Sequence, residues 1–99
     1  MFSIIKLNEN DNVGVAPMDI PKNKQINEYC ITKEDIPFGH KVSLKDINKG
    51  EDIFKYGQII GIASNKIKSG EHVHSHNLVF RDFKRDIKIK KISEEKLEK

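Results

Sequence analysis

The 99-residue chain has one cysteine, no tryptophan, three prolines and only 7% aromatic residues. A lone cysteine, Cys30, excludes an internal disulfide and reads as a small buried hydrophobe rather than a nucleophile. No apolar run approaches the ~20 residues that span a bilayer, and the first residues lack signal-peptide form. The expectation is a soluble, cytoplasmic protein without membrane association. The formal net charge is only +3, and the lysines are spread along the whole chain. No basic stripe interleaves with aromatics, so nothing supports nucleic-acid recognition. Helical periodicity is also nearly absent before residue 80.

Short apolar segments remain, cut by Gly, Pro, Asn and Asp. They predict strands at 3–7, 12–16, 25–31, 41–43, 52–56, 58–63 and 72–77. Residues 33–36 and 44–47 read as single helical turns. The pattern is all-β, in one domain with a modest core. The tail from Val79 differs: Phe83, Ile87 and Ile89 alternate loosely with lysine and arginine. It reads as a charged strand or arm over 79–99, with Ser93-Glu94-Glu95 able to cap a last helical turn.

An irregularly spaced echo runs through the chain. Its copies are Asp19-Ile20-Pro21-Lys22-Asn23-Lys24-Gln25-Ile26, Asp35-Ile36-Pro37-Phe38-Gly39-His40-Lys41-Val42, Asp46-Ile47-Asn48-Lys49-Gly50-Glu51-Asp52-Ile53 and Lys66-Ile67-Lys68-Ser69-Gly70-Glu71-His72-Val73. Each places an aliphatic residue before a tight turn and a β-branched one after it. The glycine supplies positive φ, and asparagine replaces it best. Both aliphatic positions are expected in a core, and Asp19, Asp35 and Asp46 are expected to cap turns or helices.

The chemistry-bearing stretch is Gly70-Glu71-His72-Val73-His74-Ser75-His76-Asn77. On a strand, His72, His74 and His76 would share one face. Such a row can bind a transition metal, move protons or donate hydrogen bonds to an anion. It can equally be a half-exposed strand whose imidazoles face water. Spacing alone does not decide, because no acidic or cysteine partners accompany the row.

Taken together, Asp11-Asn12-Val13-Gly14-Val15-Ala16, Asp35-Ile36-Pro37-Phe38-Gly39-His40-Lys41-Val42, Ile47-Asn48-Lys49-Gly50, Lys55-Tyr56-Gly57-Gln58-Ile59-Ile60-Gly61 and the histidine run resemble the SAF domain of the altronate and galactarate dehydratase family. The same domain occurs as a separate small subunit in relatives such as the alpha subunit of sulfolactate sulfo-lyase. The resemblance spans roughly residues 7–78, within a domain placed at 1–78. It implies a β-clip, a small barrel-like fold with long bent hairpins. It also implies lyase chemistry on a sugar acid, or sulfite elimination, with a divalent metal, iron or manganese, in the complete enzyme.

On that resemblance, His40, Lys55, His74 and His76 are the catalytic candidates. Tyr56 and Asn77 are candidates for substrate binding, and His74 and His76 for metal ligation. His72 occupies a varied position and is expected to be peripheral. Asp11 and Asn12 are expected to cap a turn. The fused dehydratases carry a much larger region, so the chain is expected to be a small subunit completed by a large catalytic subunit. The other expectations left open are a stand-alone binding module for metal or sugar acid, a piece of a longer enzyme, and self-association through edge strands.

Overall fold

The four echoing segments fold into four copies of one unit, each a bend, a bridge residue, a turn and a strand. The computed structural model describes residues 1–80. The turn residue in each copy has positive φ: Asn23 at 67°, Gly39 at 83°, Gly50 at 87° and Gly70 at 92°. The last three turns close with a bond from the sixth residue's N–H to the third residue's carbonyl, as in His40 to Pro37 at 2.9 Å. Positive φ at the third turn position is the requirement of a type II turn.

The first copy is opened by a side chain. The Thr32 hydroxyl accepts from Lys24 N–H at 2.9 Å and donates to the Pro21 carbonyl at 2.7 Å. Thr32 is 1% exposed, so these are the bonds that satisfy it there. Asparagine rather than glycine stands in this widened turn.

The units pair. Ile20 and Ile36 exchange both backbone bonds at 2.8 Å, and Ile47 and Ile67 do the same at 2.8 Å. In the first pair the aspartates are swapped: Asp19 accepts from Phe38 N–H at 2.7 Å and Asp35 from Lys22 N–H at 2.9 Å. In the second pair Asp46 accepts from Ser69 N–H at 2.9 Å. The fourth unit begins with Lys66, which cannot return the bond and instead reaches Asn48 Oδ1 at 3.3 Å. The capping role expected of the three aspartates is borne out, each acting on the turn of its partner unit.

Each pair builds its own core. Ile20, Ile26, Ile36 and Val42 pack with Ala16 and Leu44. Ile47, Ile53, Ile67 and Val73 pack with Val13 and Ala63. The isoleucine before each turn and the β-branched residue after it are all at most 1% exposed. Each such burial contributes about 1.5–3 kcal/mol.

Among the described residues, eight short strands carry the ladders: β1 (Val13–Val15), β2 (Gln25–Ile26), β3 (Cys30–Ile31), β4 (Lys41–Ser43), β5 (Asp52–Lys55), β6 (Gln58–Ala63), β7 (His72–Val73) and β8 (Leu78–Val79). They form three antiparallel sheets, ordered β1-β4-β7, β2-β3 and β5-β6-β8. The all-β expectation holds and is consistent with a β-clip. The described residues contain no helix, so the helical turns expected at 33–36 and 44–47 are bends leading into the isoleucine bridges.

Three strand expectations need correction. The segment 3–7 makes only an isolated bridge, Ile5 to Val15, while Phe2 bridges to Ile26. The segment 25–31 is a hairpin, because Asn27 takes a φ of 41° and Tyr29 N–H returns to Ile26. The expected strand 72–77 ends at Val73. The expected tail features at 81–99 lie outside the described residues. No helix among the described residues is long and apolar enough to cross a membrane.

The four turns differ in what surrounds them. A Cβ on Gly39 would meet nothing within 4 Å, whereas one on Gly70 would collide with the Ile31 carbonyl oxygen. Gly39→Ala should therefore cost about 1–2 kcal/mol of backbone strain, and Gly70→Ala about 3 kcal/mol or more, since a packed backbone must also shift. Urea denaturation of the two variants checks this. Equal losses would contradict it.

Candidate functional site

The β4–β7 ladder pairs Val42 with His72 and Lys41 with Val73. Carried one residue further, that register sets His40, the residue before β4, opposite His74 and diagonal to His72. His40 Nδ1 and His72 Nε2 lie 2.9 Å apart. His74 stacks on His40 with ring centroids 4.6 Å apart and on His72 at 5.5 Å. His76 reaches His72 at 5.5 Å, tilted by 45°. All four histidines thus converge, drawn from two segments far apart in sequence.

The convergence does not come from strand alternation. Asn77 folds residues 74–77 back on themselves. Its Oδ1 accepts from His74 N–H at 2.9 Å and its Nδ2 donates to the His72 carbonyl at 2.9 Å. The N–H groups of Asn77 and Leu78 both return to the His74 carbonyl. These bonds end the strand and turn His74 and His76 onto the neighbouring rings. Asn77 is 5% exposed, so its carboxamide holds the loop.

His72, expected at the periphery, lies at the centre. It touches His40, His74 and His76, and its N–H donates to Glu34 Oε2 at 3.0 Å. Among the described residues, one set of three groups can point ligand atoms at a common ion: His40, His72 and His74, all within 4.8 Å of one another. His76, one of the two expected ligands, is not in that set. His40 carried a signal in the sequence, since it follows a turn glycine. The centrality of His72 carried none, because it depends on which strand pairs with β7.

Lysines continue the site. Lys41 is half-buried and lines a hollow of about 270 Å³ with His74, Ser75, Leu78 and Phe80. Sequence reading passed over it. Burial, then the nearby Lys55 ammonium, pushes the Lys41 pKa down. Lys55 Nζ sits 5.1 Å above the Tyr56 ring. Tyr56 and Gly57 have φ of 55° and 80° between paired Lys55 and Gln58, the geometry of a type I′ hairpin.

Asp11 and Asn12 hold this hairpin to β1. Asp11 accepts from Gly57 N–H at 2.7 Å, and Asn12 bonds the Phe54 N–H at 2.7 Å and the Asp52 carbonyl at 2.9 Å. Burial alone would raise the Asp11 pKa, but N–H groups of Gly57, Tyr56, Asn8 and Leu7 outweigh it and hold the carboxyl below its usual value. The structural role expected of the pair is borne out.

A family model described as the altronate/galactarate dehydratase SAF domain matches residues 2–81. The chain belongs to this family. An altronate dehydratase of Bacillus subtilis (strain 168) is 44% identical over 80 residues, covering 78% of this chain and 16% of that protein. A galactarate dehydratase (L-threo-forming) of Escherichia coli (strain K12) is 32% identical over 77 residues, covering 76% of this chain and 15% of that protein. A (2R)-sulfolactate sulfo-lyase subunit alpha of Paracoccus pantotrophus is 47% identical over 45 residues, covering 46% of this chain and 67% of that subunit. The chain thus spans about a sixth of the length of the dehydratases it matches. The family membership and the SAF domain expected from the motifs are both established.

Packed imidazoles resist protonation. Burial, then the charge of His40, lowers the His72 pKa, with Glu34 opposing. Lost solvation, then the charges of His40, Lys41 and His76, lowers that of His74. Unfolded, both bind protons near pH ~6.5. The folded state therefore binds fewer protons as pH falls through that range, and stability falls with it. The stabilisation is full above ~6.5 and is lost toward the folded-state pKa values. Urea midpoints measured in chelator should drop between pH 7.5 and 5.5, and His72→Gln should flatten the drop. A pH-independent midpoint in the unsubstituted chain would contradict the packing argument.

Proposed function

We propose that this chain supplies the histidine half of an active site in a lyase that eliminates water from a sugar acid, completed by a larger catalytic subunit. The carrying observation is the convergence of His40, His72, His74 and His76 on one open face, within motifs of a dehydratase family. Elimination needs a base for the proton beside the carboxylate, an acid for the leaving group and cationic stabilisation of the enediolate.

The donor set fits a divalent ion. His40 Nδ1 and His72 Nε2, 2.9 Å apart, would be close enough together to hold one such ion. His74 would complete a set of three imidazole ligands. Imidazole suits iron better than manganese, which favours oxygen donors. When bound, such an ion supplies Lewis-acid polarisation of a substrate oxygen.

The chain's other groups have separable tasks. His76 sits at the end of the row, exposed, where its ring can give a proton to the leaving hydroxyl, which departs as water. Lys55 offers a positive charge beside the Tyr56 phenol. Glu34 steadies the start of β7 through the His72 N–H. Asn77 acts by holding His72 and His74 in place.

A second reading rests on a different observation: the three-imidazole set is complete within one chain. A stand-alone metal or sugar-acid module would bind without turnover. Co-expression with a large subunit of the same family separates the two. The purified complex should dehydrate altronate or galactarate, and His40→Ala or His72→Ala should lower kcat about a hundredfold or more. Equal activity from the large subunit alone, or undiminished kcat in both variants, would contradict the proposal.

A further inference from the structure

Lys41 breaks the local pattern of its sheet. It lies in the central strand of β1-β4-β7, with Val15 opposite on one side and Val73 on the other. A β-branched apolar residue fits that position better than a half-buried ammonium. Among the described residues, the Lys41 ammonium makes no hydrogen bond or ion pair. The charged groups that face it are themselves cationic or basic, Lys55 and His74. The hollow it lines, about 270 Å³ with His74, Ser75, Leu78 and Phe80, opens beside the histidine cluster. Neither lysine has a carboxylate partner among the described residues, an arrangement that an anion would relieve.

We propose that Lys41, with Lys55 and His74 beside it, binds the oxyanion group of a small organic acid, a carboxylate or a sulfonate, in the hollow next to the histidines. This deepens the reading of the cluster as a substrate site and rests on it. Lys41 Nζ provides the charge-assisted hydrogen bond, Lys55 adds field, and His74 marks where the hollow meets the imidazoles. Leu78 and Phe80 give the hollow an apolar wall, which strengthens an ion pair formed against it. A lyase of this class must hold the carboxylate beside the carbon that loses its proton, so an anchor one residue from His40 fixes the reacting carbon near the cluster.

The bland role for Lys41 is packing, its methylene stem lying over Leu78 and Phe80. Substitutions separate the two roles. Lys41→Met keeps the stem and removes the charge, and Lys41→Arg keeps the charge. The test is an NMR titration of the full ¹⁵N-labelled chain in chelator. The probes are galactarate, the sulfonate isethionate, and galactitol, which has the carbon skeleton of galactarate without carboxylates. Galactarate or isethionate should produce saturable shifts centred on the amides of Lys41, His74 and Ser75, and galactitol should not. Lys41→Met should weaken binding about tenfold or more with the folded spectrum kept, and Lys41→Arg should retain it within about threefold. The tighter of the two anions identifies the oxyanion preferred. Absent shifts, shifts centred elsewhere, equal shifts from galactitol, or undiminished binding by Lys41→Met would each overturn the assignment. The chelator keeps metal out of this titration, so its failure is distinguishable from failure of the metal and lyase reading.

Discussion

The pairing of β4 with β7 is the constraint on which the site depends. It joins His40 to His72 across 32 residues of sequence through two ladder positions, Lys41 to Val73 and Val42 to His72. Val42 belongs to one core and Val73 to the other, so the ladder that aligns the imidazoles also ties the two halves together. Two short strands would not pair stably alone. They are held because each follows a capped turn whose isoleucine is bridged to a partner unit.

The fold is a small set of rules used four times. An aliphatic residue, a tight turn and a β-branched residue bury both ends of each unit, and partner units cap each other's turns. The departures from the rule are informative. Thr32 widens the first turn, where asparagine stands in for glycine. Lys66 removes one cap of the second pair. The second and fourth copies carry His40 and His72, so the units that present the clustered imidazoles come one from each pair. A scaffold of short strands and many turns favours such a cluster, because side chains at turn ends project beyond the sheets.

Much of this was legible from residue types. The echo in the sequence marked the turns, both buried positions and the capping aspartates, since those depend on local backbone chemistry. Strands at 41–43 and 58–63 were read to the residue. Local patterning failed where a distant or side-chain bond decides. Residues 72–77 alternate like a strand, yet the Asn77 carboxamide curls them into a turn. His72 looked peripheral and Lys41 unremarkable, because their neighbours come from β4–β7 pairing and from the hairpin at Lys55. The family motifs marked segments that the fold brings together, but not which imidazoles face one another.

The central claim is that His40, His72 and His74 act as one ligand set. X-ray absorption at the iron edge, on the chain loaded with one equivalent of ferrous ion under anaerobic conditions, tests it most directly. The account predicts three imidazole nitrogens at about 2.1 Å, a spectrum unchanged by His76→Ala, and loss of imidazole scattering in His72→Ala. One imidazole or none per iron, or a spectrum altered by His76→Ala and not by His72→Ala, would contradict it.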